Sequence, residues 1–100
     1  MFSEIQKMID ICIEYKQGKF EIDTFIKHLE RIYLPDECKY TLAIDQHNGA
    51  NRLDSIRFSY KGDNLINHAH AVANELIAES VIEQKRLEND KPYAEEKLRA

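Results

Sequence analysis

Gly18 separates two helical stripes, and that separation constrains the fold of this chain more than any other feature. Before it, Ile5, Met8, Ile9, Cys12 and Ile13 recur at spacings of three and four, which is one face of a helix. Ser3 with Gln6 fits a Ser-x-x-Gln capping box, and Gly18 supplies a left-handed stop with Lys16 in the last turn. A first helix over roughly residues 3 to 17 follows. Beyond Gly18, Ile22, Phe25, Ile26, Leu29, Ile32 and Tyr33 form a second apolar face, closed by Pro35. Phe20 and Phe25 flank Glu21 as a hydrophobic staple, with Glu21 a poor N-cap. The connection is short, so the two helices pack antiparallel as a hairpin.

The period then changes. Cys38, Tyr40, Leu42 and Ile44 alternate with Lys39, Thr41, Ala43 and Asp45, and Ile56, Phe58 and Tyr60 alternate with Ser55, Arg57 and Ser59. Period two predicts two strands, and Asn48-Gly49 between them is a hairpin signal. After the turn Lys61-Gly62-Asp63, a stripe of Leu65, Ile66, Ala69, Val72, Ala73, Leu76, Ile77 and Val81 predicts a long helix that persists to about Leu87. Asn89-Asp90-Lys91-Pro92 reads as a break, leaving residues 91–100 as a short helix or frayed tail beyond a packed core of residues 1–90. The expected fold class is therefore α+β in a single domain spanning 1–100: an N-terminal helical hairpin, a β-hairpin and a long C-terminal helix. The alternative is an all-α bundle with residues 36 to 48 as a third helix.

Charge narrows the choice of partners. With 18 acidic and 14 basic residues the net charge is −4, which disfavours nucleic acid and anionic membrane surfaces and favours a basic protein. Acidic and basic residues interrupt the apolar residues of the first helix, so it is not a signal peptide, and no stretch approaches the ~18 apolar residues of a membrane span. The cytoplasm is the default location. Cys12 and Cys38 both fall in apolar phase and are expected as buried thiols rather than a disulfide.

Glu75, Glu79 and Glu83 repeat every four residues and form one ridge on the long helix. Like charges at that spacing cost a few tenths of a kcal/mol per pair. The ridge is either a solvated face or a docking surface for a basic partner, and Asp36 with Glu37 extends it if the fold brings them near. His68 and His70 lie two apart, which is not the spacing of a helical zinc pair. His47 with either of them is the one acid–base pairing available to an enzyme reading. No glycine-rich phosphate cradle is present and no cofactor is expected. Val81, Ile82 and Leu87 lie beyond easy cover by the first two helices. Either the C-terminal segment folds back over them through Tyr93 and Leu98, or the chain self-associates as a homodimer, which is the alternative reading of an oligomeric adaptor or regulatory subunit.

The run Tyr15-Lys16-Gln17-Gly18-Lys19-Phe20-Glu21-Ile22-Asp23-Thr24-Phe25-Ile26 resembles the helix–Gly–Lys–helix opening of small bacterial immunity proteins of the colicin D and contact-dependent growth inhibition kind. Asp63-Asn64-Leu65-Ile66, leading to Val72 and Leu76, is similar to their last helix. The resemblance covers about half of the chain. It implies a non-enzymatic protein that neutralises a toxin domain, such as a nuclease, by stoichiometric binding. Colicin D-type immunity proteins are helical throughout, which sets the predicted strands within residues 38–60 against the resemblance.

Overall fold

The computed structural model describes residues 3–34, 38 and 40–99, with side chains at 4–34, 38 and 41–89. Four helices follow one another: α1 (Ser3–Lys16), α2 (Ile22–Glu30), α3 (Tyr40–Ser59) and α4 (Gly62–Arg99). Adjacent helices run antiparallel, giving an up-down-up-down bundle. Side-chain contacts fix the directions. Gln84 Nε2 donates to Gln6 Oε1 at 2.8 Å, while Tyr15 meets the His70 ring edge-on near the other end of α1. Arg57 Nη1 donates to Asp23 Oδ1 at 2.9 Å, tying the end of α3 to the start of α2.

The first hairpin follows the sequence closely. Gly18 has φ +79°. Its N–H donates to the Tyr15 carbonyl at 2.9 Å, and that of Lys19 donates to the Glu14 carbonyl at 3.1 Å. These two bonds form a Schellman motif, which only a residue tolerant of the left-handed region completes without strain. Glu21 precedes α2 with an extended backbone and no side-chain cap, and Phe20 and Phe25 sit across it with ring centroids 6.3 Å apart. Gln6 donates to Asp10 and accepts from Gln84, and the Ser3 side chain of the expected capping box lies outside the described residues. α2 ends earlier than Pro35 requires: Ile32 stays buried after the helix, but Tyr33 is 84% exposed and does not belong to the apolar face.

The α+β expectation is overturned. Among the described residues there is no strand, and residues 40–59, read as strands joined at Asn48-Gly49, form one helix. The period-two residues do not share a buried face, since Phe58 is 77% exposed and Ile44 and Tyr60 are also exposed. The face α3 buries is instead Leu42, Gly49, Ala50, Leu53 and Ile56, at helical spacing. The all-helical alternative holds in class and differs in extent, because α3 continues well past residue 48. Gly49 lies where α3 and α4 approach closely. A Cβ there would stand 3.0 Å from Leu76 Cδ1 and 3.3 Å from Cδ2.

The core joins all four helices, with Ile5, Met8, Cys12, Phe25, Leu29, Leu53, Ala69 and Val72 nearly or fully inaccessible. α4 does not break at Asn89–Pro92 but remains helical to Arg99. Its 38 residues at about 1.5 Å each match the molecule's 56 Å long axis. No helix among the described residues is long and apolar enough to cross a membrane.

Candidate partner-binding surface

The spacing 45, 48, 49, 52 on α3 faces 72, 75, 76, 79 on α4, and between them lies a groove of about 320 Å³. Its floor is Gly49, Val72 and Leu76, and its rims carry Asp45, Arg52, Glu75 and Glu79. Arg52 pairs with Glu75 across one end. Asp45 and Glu79 have no ion-pair partner among the described residues, so the other end keeps two carboxylates facing solvent. Low-dielectric walls beside such charges focus their field outward.

The ridge predicted from sequence is thus split by its surroundings. Glu75 and Glu79 are exposed and line the groove. Glu83 is only 3% exposed, and Arg86 holds it through Nε at 2.5 Å and Nη2 at 3.1 Å. It is turned inward beside Leu42 rather than lying open on the groove. Asp36 and Glu37 lie outside the described residues. Asp45, which reading α3 as a strand placed on a polar face, joins Glu79 only because α3 is a helix.

The four histidines go to separate places. His28 sits edge-on to Phe20, His47 is 3.3 Å from the Asn51 amide, His68 stacks on Tyr60 with centroids 3.9 Å apart, and His70 meets Tyr15. His47 therefore forms no pair with His68 or His70. Among the described residues no three His, Cys, Asp or Glu side chains converge as a metal would need.

A second concavity lies at the α1–α2 turn. Tyr15, Phe20, Ile22, Leu65, Ile66 and His70 line a mainly apolar cleft of about 510 Å³. Sequence patterning assigned Phe20 to the staple and Ile66 to the core stripe, so the cleft was not visible in it. In the core, burial pushes the Cys12 thiol from 9.0 up to about 12, with the charge of Lys16 acting in the opposite sense. Burial also raises the Tyr15 phenol. Neither is a poised nucleophile or base, because each is held in its neutral form.

Comparison of the chain with protein-family models, curated proteins and solved structures gives no match.

Proposed function

We propose that this chain is a non-enzymatic, immunity-type inhibitor that neutralises a bacterial toxin domain, such as a nuclease, by binding it stoichiometrically. The carrying observation is the α3–α4 groove, where Asp45, Glu75 and Glu79 are offset by Arg52 alone. A basic side chain of the partner fits between Asp45 and Glu79, and the net charge of −4 draws in a positively charged surface. Nuclease domains carry basic substrate grooves, so the same charge that repels nucleic acid attracts the protein that binds it. The helical character of residues 40–59 supports the reading further, since the predicted strands were the departure from an all-helical immunity protein. The protein acts in the cytoplasm of the producing cell and needs no cofactor.

Affinity capture from the source cells tests this. The wild-type chain should retain a basic toxin domain and block its activity at one-to-one stoichiometry, and a Glu75→Lys/Glu79→Lys variant should lose it. Capture that survives the charge reversal contradicts the assignment of the groove. A chain whose biological effect depends on His47, His68 and His70 contradicts the inhibitor reading itself.

A further inference from the structure

The cleft of about 510 Å³ at the α1–α2 turn shares no lining residue with the acidic groove and is built differently. Cavities of about 300–1,000 Å³ with mainly apolar walls and a few polar groups hold small organic molecules. One wall is aromatic. Tyr15 stacks on Phe25 with ring centroids 4.5 Å apart, Phe20 tilts against both at 6.3 Å, and His70 meets the Tyr15 ring edge-on at 5.7 Å. These rings hold one another in place, so a flat apolar body can enter without first ordering the wall. Leu65 and Ile66 add an aliphatic wall from the start of α4, and Ile66 is 46% exposed.

Three polar groups of the cleft have no partner among the described residues. Tyr15 is only 6% exposed, yet its hydroxyl makes no hydrogen bond, whereas a buried phenol ordinarily finds one. Lys16 and Glu21 are exposed and form no ion pair, not even with each other across the five residues that separate them.

The cleft therefore offers apolar walls for a ring, a cation and a hydroxyl for an anionic group, and a carboxylate for a cationic one. A simple carboxylic acid would bring its charge to Lys16 and Tyr15 but leave Glu21 unmatched. A simple amine would match Glu21 and leave the other two. A molecule carrying both charges beside an aromatic ring uses all of them.

We propose that this cleft binds a free aromatic amino acid. The ring packs against Phe20 and Ile66. The carboxylate accepts hydrogen bonds from the Lys16 ammonium and the Tyr15 hydroxyl, and the ammonium group donates to the Glu21 carboxylate. The site leaves the acidic groove open and does not depend on the inhibitor reading.

The chain contains no tryptophan, so free tryptophan can serve as a probe read by its own fluorescence. Its anisotropy should rise and saturate as the full chain is added, with a dissociation constant below about a millimolar. Ile66→Glu, with helicity recorded, should weaken binding at least about tenfold. Lys16 and Glu21 are exposed, so their variants leave the core intact. Glu21→Gln should weaken tryptophan about threefold and leave indole-3-propionate, which lacks the amine, unchanged. Lys16→Met should weaken tryptophan to a similar degree without weakening tryptamine, which lacks the carboxylate. No rise in anisotropy at a millimolar chain concentration overturns the proposal. So does indole-3-propionate or tryptamine binding the wild type as tightly as tryptophan, or a folded Ile66→Glu variant that binds like the wild type.

Discussion

The Gln46 side chain of α3 caps the end of α2, its Nε2 donating to the Leu29 carbonyl at 2.7 Å and to the Ile32 carbonyl at 2.9 Å. The last carbonyls of a helix lack intrahelical donors. Here a residue from the next helix supplies two hydrogens from one amide and locks the end of α2 against α3. Gln46→Ala should therefore lower stability by about 1–2 kcal/mol, since both side-chain bonds are lost while the Leu29 carbonyl keeps the Ile32 N–H. Gln46→Glu should cost at least as much, because it offers no hydrogen to either carbonyl. Chemical denaturation of the three proteins measures this.

Ser80 is fully buried on α4, and its Oγ finds no hydrogen-bond partner among the described residues. A desolvated hydroxyl without a partner is unfavourable, and alanine has the higher helix propensity. Ser80→Ala is expected to leave stability unchanged or raise it by up to about 1 kcal/mol. A loss of that size in thermal or urea denaturation would indicate a hydrogen bond to Ser80 instead.

Gly49 faces the Leu76 methyl groups where α3 packs on α4. Alanine gains about 1 kcal/mol of helix propensity there and gives up a similar amount to crowding, so Gly49→Ala should be near neutral. Gly49→Val adds branches that Leu76 cannot clear and should cost about 1–3 kcal/mol. Paired urea melts distinguish these cases. Tolerance of valine would show that the helices do not approach so closely.

Stability should fall at alkaline pH. Cys12 is held neutral in the native state up to about 12, whereas its ordinary value is 9.0. Between those values the unfolded chain releases a proton that the native chain retains, so stability present below pH 9 is lost as pH rises towards 12. The slope is about 1.4 kcal/mol per pH unit for one such group. Tyr15, raised by burial, acts in the same direction. Cys12→Ala should reduce the slope of a denaturation series across this window without abolishing it. In the native protein at pH 8, Cys38, which is only partly buried, should react with iodoacetamide well before Cys12.

The parts of the fold legible in the sequence are those where large apolar side chains recur with helical spacing and a backbone stop follows. Ile5 to Ile13 with Gly18, and Ala69 to Leu76, are of this kind. α3 was not legible because its buried face mixes Leu42, Leu53 and Ile56 with small and polar residues between them. Gly49 and Ala50 take the place of bulky side chains, and Gln46 is turned to cap α2. Two other large apolar residues, Ile44 and Phe58, face outward, leaving a spurious period of two and a glycine that resembles a turn. The candidate surface inherited that error. Glu75 and Glu79 could be read from one helix, but Asp45 joins them only through helix–helix packing. Glu83 left the ridge because Arg86 and burial claim it, which a charge pattern alone does not reveal.

The association rate with the captured basic partner, followed by stopped flow from low to high salt, tests the acidic groove most directly. The wild-type rate should fall steeply as salt rises, because the carboxylates act over about a Debye length of ~10 Å at 0.1 M. Glu79→Lys should be slower at low salt and less sensitive to salt than the wild type. A wild-type rate that does not change with ionic strength, or a Glu79→Lys variant that associates as fast as the wild type, would contradict the account.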